Sequence, residues 1–160
     1  MFRTISNPWI SLASRLILAA VFIYASIDKI AHPDLFAEVV HNYRILPIAT
    51  ENLFAMALPW IELGTGVLLL LGLLTRSAAL LSAFMLIVFI AAIGAGLWRG
   101  IDITCGCFTV SSEGRQLGWL TLLEDVALLL PSFQLLLTAH PGISLDRRYL
   151  PASPLSAEPR

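Results

Sequence analysis

The chain has 160 residues, of which 58% are hydrophobic and only 13% are charged, and its formal net charge is −1. Soluble domains usually carry about 25% charged residues, so this chain has too little polar surface to face water. A mean hydropathy of +0.82 agrees. The composition predicts an integral membrane protein in a lipid bilayer, and the absence of a basic patch argues against a nucleic-acid partner.

Four apolar runs each approach the ~20 residues that an α-helix needs to cross ~30 Å of hydrocarbon. The runs are Trp9–Ile27, Leu53–Leu74, Ala78–Trp98 and Leu117–Leu137. Because lipid offers the backbone no hydrogen bonds, each run is predicted to be a transmembrane helix. The link "TRS", Thr75 to Ser77, is so short that it predicts an antiparallel hairpin between the second and third runs.

The connection between the first two runs carries a further amphipathic segment. Its apolar face, at helical spacing, consists of Leu35, Phe36, Val39, Val40 and Tyr43. Pro33 suits a first helical position, so we predict a short interfacial helix in the first outer loop. The predicted fold is therefore all-α: a four-transmembrane-helix bundle over residues 1–138, followed by a polar tail over residues 139–160.

Basic residues predict the orientation, because cytoplasmic ends of membrane helices carry more Lys and Arg. With the N-terminus inside, the cytoplasmic side holds Arg3, Arg76, Arg147, Arg148 and Arg160. The outer side then holds Lys29, Arg44, Arg99 and Arg115. This arrangement predicts a multi-pass protein of the bacterial inner membrane with both termini in the cytoplasm and the segment around Cys105 outside, where disulfides persist.

The chain has two cysteines, Cys105 and Cys107, separated by Gly106. A bond between residues i and i+2 is strained against the usual Cα separation of about 4.4–6.8 Å. Strained, exposed disulfides are the more oxidising and labile ones, so the pair suits electron transfer better than bracing a fold. Arg99 and Arg115 flank the pair, and either would favour the reactive thiolate if it approached.

Two other interpretations of the cysteines stay open. Cys105 and Cys107 could be ordinary thiols or an inert bridge in a loop. They could also form a soft-metal site, since paired thiolates suit Cu(I) or Zn, with His32 and His41 completing it from the short helix.

Four charged residues fall inside the predicted spans: Arg15, Glu62, Glu124 and Asp125. Each would cost at least about 2.5–3.5 kcal/mol near the bilayer centre, so such residues usually face a bundle interior, a cavity or a partner. One interpretation is an interhelical ion pair, for example Arg15 with Glu62. The other is a proton relay: dithiol oxidation releases two electrons and two protons, which a membrane-dissolved quinone could accept, and a buried carboxylate could relay the protons.

Three stretches in order resemble one known family. They are "RLILAAVFIYASIDKIAHPDLFAEVVHNYRILP", "LPWIELGTGVLLLLGLLTRSAALL" and "RGIDITCGCF", which begin at Arg15, Leu58 and Arg99. Together they resemble the MauE/DoxX-like group of redox-associated membrane proteins, over about Ser11 to Leu137. The matching positions are Arg15, Lys29, Tyr43, Pro47, Pro59, Glu62, Arg99, Cys105, Gly106 and Cys107.

The resemblance implies a four-helix bacterial inner-membrane protein that supports maturation of methylamine dehydrogenase with a periplasmic thioredoxin-like partner. The sequence departs from the family pattern at Thr109, where glycine is usual, and at Glu124. In the family a basic residue commonly precedes an Asp or Asn, whereas here Glu124 precedes Asp125. These departures bear on the methylamine-specific role more than on the redox role.

The favoured function is thiol–disulfide exchange with a thioredoxin-like protein or a maturing client, which would make the chain a thiol–disulfide oxidoreductase. A second hypothesis is a non-catalytic, DoxX-like subunit that anchors or stabilises a respiratory or quinone-linked complex alongside other membrane subunits. A third, a small-solute or metal carrier, is disfavoured because the sequence has no repeated pair of broken helices.

Overall fold

The computed structural model describes residues 7–45, 47–100 and 119–137. These residues form five helices and no strand: α1 Pro8–Ala31, α2 Pro33–Tyr43, α3 Ile48–Leu71, α4 Thr75–Trp98 and α5 Trp119–Leu137. The helices α1, α3, α4 and α5 are long and apolar enough to cross a membrane, which confirms the predicted all-α fold. The predicted boundary at residue 138 and the tail at 139–160 lie outside the described residues.

Local signals explain where the first two helices begin. The Asn7 side chain accepts a hydrogen bond from the Trp9 amide at 3.1 Å and so caps α1. Pro8 and Pro33 occupy the first turns of α1 and α2, where a missing amide hydrogen costs nothing. The chain therefore breaks between α1 and α2, and α2 can turn across the end of α1.

The hairpin between α3 and α4 turns three residues earlier than predicted. Gly72 has a φ of +68° and Leu74 a φ of 48°, and the Leu73 amide donates to the Leu68 carbonyl at 3.0 Å, which closes the end of α3. The predicted link, Thr75 to Ser77, instead forms the first turn of α4. Periodicity could not reveal this, because small polar residues occur both in turns and in first helical turns.

The four long helices form a ring in which α1 and α4 each pack against α3 and α5. At one end, α2 packs on α3 and α1, and the Arg99 guanidinium donates to the Tyr43 carbonyl at 3.2 Å. We call this the α2 end; it includes Trp98 and Trp119. The opposite end, which includes Pro8, the turn at Gly72 and Leu137, is the hairpin end.

The bundle has an apolar exterior and a partly polar interior. Large side chains such as Trp60, Leu80 and Leu130 are more than half exposed on the spanning helices. The interior contains the leucines Leu18 and Leu69, and it also contains buried Ser, Thr and charged side chains. Because lipid tails are as apolar as leucine, polar contacts are expected inside and apolar side chains outside, so this distribution supports a membrane location.

The short helix α2 is amphipathic as predicted, but its apolar face does not rest on lipid. Phe36, Val39 and Val40 are buried, and Leu35 packs partly buried against the same core. This face lies on the bundle, so α2 covers the ends of the long helices. The spacing fixed which residues share a face, whereas what covers that face depended on tertiary packing.

Candidate functional site

The predicted cysteine pair, Cys105 and Cys107, lies outside the described residues, as does Arg115. Its redox role therefore stays a prediction, as does the soft-metal alternative. The helix ends on either side of it, Trp98 and Trp119, are described, and both belong to the α2 end. Arg99 follows α4 directly and is held there by the Tyr43 carbonyl.

Glu62 forms a buried ion pair with Lys29. The Lys29 ammonium contacts both carboxylate oxygens, at 2.6 and 2.9 Å, and the two side chains are only 1% and 2% exposed. Lys29 lies in the last turn of α1, and Glu62 lies past the middle of α3, beyond Pro59. Long lysine side chains reach along a helix in this way, so the pair joins α1 to α3 within the bundle.

The predicted ion pair between Arg15 and Glu62 is wrong. The Arg15 guanidinium Nε donates to the Leu69 carbonyl at 2.9 Å, and Nη2 approaches the Leu70 carbonyl at 3.5 Å. The last carbonyls of a helix lack partners within the helix and carry its negative dipole end. Arg15 therefore caps the C-terminus of α3, and it acts at the hairpin end rather than beside Glu62.

Two aromatic rings enclose the Lys29 ammonium. Its nitrogen lies 5.2 Å from the centroids of both Phe36 of α2 and Phe89 of α4. A cation over a ring face is stabilised electrostatically, and more so when it is shielded from water. Phe36 makes α2 part of the site, because it covers the cation from the α2 end.

Asp125 of α5 completes a buried cluster of ionisable side chains with Lys29 and Glu62. Its side chain is 2% exposed, and its Oδ2 atom has no hydrogen-bond partner in the structure. A cavity of about 20 Å³ separates Asp125 from Glu62, and α1, α4 and α5 supply the rest of its lining. That volume accommodates a single water molecule.

Glu124 and Tyr43 are two further neighbours of Asp125, and their surroundings differ. Glu124, the preceding residue, is only partly buried, because the buried face of α5 follows the spacing of Thr121, Asp125 and Ser132. Burial raises the pKa of the Tyr43 phenol, and the Asp125 carboxylate raises it further. Tyr43 is therefore a neutral phenol on α2 that lies near the Asp125 carboxyl group.

Each of the two histidines named in the soft-metal alternative has a polar contact among the described residues. The Nδ1 atom of His41 lies 2.8 Å from the Glu51 carboxylate, and that of His32 lies 3.2 Å from the Asp28 carbonyl. Within residues 7–45, 47–100 and 119–137, no three His, Cys, Asp or Glu side chains are grouped to hold a metal ion.

Sequence reasoning did not assign Lys29 to the site. The orientation predicted from the basic residues places it among the outer-side cations, because it stands just beyond the end of the first apolar run at Ile27. A signal was available: Arg15, Leu18, Phe22, Ala25 and Lys29 follow each other at intervals of three or four residues and are all buried. That spacing marks one helix face, so Lys29 belongs to the interior stripe.

Comparison with known proteins gives a consistent result. A family model described as Methylamine utilisation protein MauE matches residues 7–138. The chain is 34% identical over 123 residues to the Methylamine utilization protein MauE of Paracoccus denitrificans, an alignment that covers 76% of this chain and 66% of that protein.

Two further relatives have the same name. Identity is 33% over 151 residues with the protein of Methylophilus methylotrophus, covering 91% of this chain and 78% of that protein. It is 35% over 150 residues with that of Paracoccus versutus, covering 91% and 80%. No solved structure matches the chain.

Proposed function

Because the chain belongs to the MauE family, we propose that it is an accessory membrane protein of methylamine utilisation. The relatives are named for that process, and the four apolar helices provide the membrane anchor. The single observation that carries this proposal is the match of the family model to residues 7–138.

The chemistry we propose is thiol–disulfide exchange at Cys105 and Cys107. A client dithiol attacks the Cys105–Cys107 disulfide, a mixed disulfide forms, and the second client thiol resolves it. The client gains a disulfide, and the chain's pair becomes a dithiol that keeps the two electrons and two protons. A thioredoxin-like protein in place of the client would exchange electrons in the same way. The proposal is supported by the spacing of the two cysteines, which are separated by one glycine. That spacing favours a labile disulfide bond.

The described helices support an outer location for this chemistry. An even number of spans places Pro8 and Leu137 on one side of the membrane and the α2 end on the other. Lys29 is buried in an ion pair, so it no longer counts among the loop cations. The remaining bias of Arg residues then favours the hairpin end as the cytoplasmic side more strongly than the sequence count did.

The test is replacement of each cysteine by serine in a methylamine-utilising bacterium that lacks its own homologue. We expect Cys105→Ser and Cys107→Ser to abolish disulfide formation in the client while the protein still inserts. Thr104→Ser is the matched control, because it alters the same segment and keeps both thiols. Membrane fractionation reports insertion, and thiol alkylation of the client reports its disulfides.

Normal client disulfides in both serine variants would contradict the proposed chemistry. That result would instead favour the non-catalytic subunit, which anchors or stabilises a complex without using its thiols. A membrane-impermeant maleimide provides the test of orientation: Cys105 should react from outside intact cells after reduction, and exclusive reaction from the cytoplasmic side would contradict the assignment.

A membrane-dissolved quinone is the class of electron acceptor that we propose for reoxidation of the dithiol. It would take two electrons and two protons and leave as the quinol. The cavity between Glu62 and Asp125, at about 20 Å³, has room for water and not for a quinone ring. A quinone would therefore not enter the bundle at this cavity.

A further inference from the structure

The buried cluster contains more acidic groups than basic ones. Lys29 contributes one positive charge, and Glu62 and Asp125 would contribute two negative charges if both were ionised. All three side chains are at most 2% exposed. An uncompensated charge in a low-dielectric interior is strongly unfavourable, and a buried group then takes up or releases a proton instead. One proton bound to the cluster would make it neutral.

The hydrogen bonds indicate which carboxyl group carries that proton. Both oxygens of Glu62 face the Lys29 ammonium, at 2.6 and 2.9 Å, which is the environment of an ionised carboxylate. Asp125 instead has an oxygen, Oδ2, that accepts no hydrogen bond. An ionised carboxylate accepts hydrogen bonds only, whereas a protonated one has a hydroxyl that donates.

The surroundings of Asp125 offer hydrogen-bonding groups to that hydroxyl. The cavity between Asp125 and Glu62 has room for one water molecule. The helices around Asp125 present Lys29 from α1, Glu62 from α3, the Phe89 ring from α4 and, on its own helix, Glu124. From α2 comes Tyr43, a neutral phenol that can both donate and accept a hydrogen bond.

We propose that Asp125 is a proton-binding site inside the bundle, and that its ligands are one exchangeable proton and one water molecule in the adjoining cavity. Lys29 holds Glu62 ionised, and the proton on Asp125 keeps the cluster neutral. Tyr43 lies near this site, on α2. This proposal rests on the described helices alone and holds whether or not the cysteine pair exchanges disulfides.

Infrared spectroscopy of the purified full-length protein in lipid nanodiscs tests the proposal. At neutral pH, a protonated carboxyl group gives a carbonyl band separate from that of carboxylates. We expect this band in the unaltered chain, a downshift in D2O, and a further shift when aspartate alone carries ¹³C. Labelling needs no substitution, so this part of the test does not depend on how variants fold.

Variants then assign the band to one residue. Asp125→Asn should remove the band and leave the helical circular dichroism and the melting temperature close to those of the unaltered chain, because asparagine resembles a neutral carboxyl group in shape and polarity. Glu124→Gln and Asp28→Asn are matched controls and should retain the band.

Four outcomes would overturn the proposal. One is the absence of a protonated carboxyl band at neutral pH. The second is a shift of the band with labelled glutamate rather than aspartate. The third is persistence of the band in Asp125→Asn. The fourth is unfolding of Asp125→Asn, because a neutral residue should tolerate a neutral replacement.

Discussion

The two ends of the bundle bury polar groups in different ways. At the hairpin end, the contacts join neutral side chains or pair a cation with main-chain carbonyls. Ser14 donates to Gln134 and Gln134 donates to Ser11, and Arg15 caps α3. Toward the α2 end, the interior instead contains a lysine and two carboxyl groups around a cavity.

This difference separates contacts that stabilise packing from contacts that have a chemical use. Interhelical hydrogen bonds between neutral groups in membranes stabilise the fold by about 0.6 kcal/mol each on average, and they can occur wherever helices meet. Buried ionisable groups are costly and usually mark a functional site. The α2 end, which carries such groups and flanks the cysteine segment, is therefore where we expect substitutions to alter function.

The largest effect should follow from removing the cation of the α2 end. Lys29→Met leaves Glu62 buried without its cationic partner, and breaking a buried pair from one side costs about 3–5 kcal/mol. Adding Glu62→Gln should restore much of that loss, because no uncompensated charge then remains. Denaturant unfolding of the detergent-solubilised protein, followed by circular dichroism, gives the coupling free energy of this double-mutant cycle.

Either of two results of the double-mutant cycle would contradict this prediction. If Lys29→Met were as stable as the unaltered chain, or if the double variant lost the sum of the two single losses, the ion pair would not hold the α2 end together. The distinction between the two ends of the bundle would then have no energetic basis.

An intermediate effect is expected between the two ends, where Gly66 lets α1 and α3 approach closely. A Cβ at Gly66 would lie 2.8 Å from the Ile23 side chain and 3.2 and 3.3 Å from backbone atoms of Ile23 and Ala19. Overpacking of this kind typically costs about 1–3 kcal/mol, so Gly66→Ala should destabilise the bundle in the same unfolding assay.

Gly64→Ala is the matched control for that substitution. A Cβ at Gly64 meets nothing within 4 Å, and replacing glycine by alanine within a helix is favourable by about 0.5–1 kcal/mol. Opposite signs for the two substitutions would confirm the close approach at Gly66. Equal effects would show that α1 and α3 pack through other residues.

The four spans could be predicted because hydropathy over about twenty residues outweighs local detail. Helix starts were less predictable. The second predicted run begins at Leu53, directly after the polar Glu51 and Asn52, but α3 begins at Ile48. Glu51 is buried with its carboxylate against His41, so a tertiary contact lets the polar residues extend the helix.

The ion-pair partner of Glu62 could not be predicted from hydropathy, because it depends on the axial offset between α1 and α3. Gly66 approaches Ala19 and Ile23, and Arg15 meets the carbonyl of Leu69 near the very end of α3. The start of α1 therefore projects beyond α3, which moves Arg15 away from Glu62 and brings Lys29 within reach. Such an offset follows from side-chain packing between two helices and cannot be predicted from the sequence of either helix alone.

The smallest effect should come from a neutral contact between α4 and α5. The Ser132 hydroxyl donates to the Leu128 carbonyl at 3.0 Å and can accept a hydrogen bond from the Ser82 hydroxyl, 3.2 Å away, when Ser82 does not donate to its own helix. Ser82 also has its own partner, the Ala79 carbonyl, at 2.9 Å. Ser132→Ala therefore leaves no orphaned group, and we expect a loss of about 0.6 kcal/mol in the unfolding assay.

Ser26→Ala is the control for this last contact, because the buried Ser26 hydroxyl donates to the Ile23 carbonyl of its own helix at 2.8 Å. Its loss should be smaller than that of Ser132→Ala, since no interhelical bond is removed. A loss at Ser132 as large as that of Lys29→Met would contradict the comparison between the two ends. Neutral hydroxyls would then stabilise the bundle as strongly as the buried ion pair, and the ion pair would no longer distinguish the α2 end.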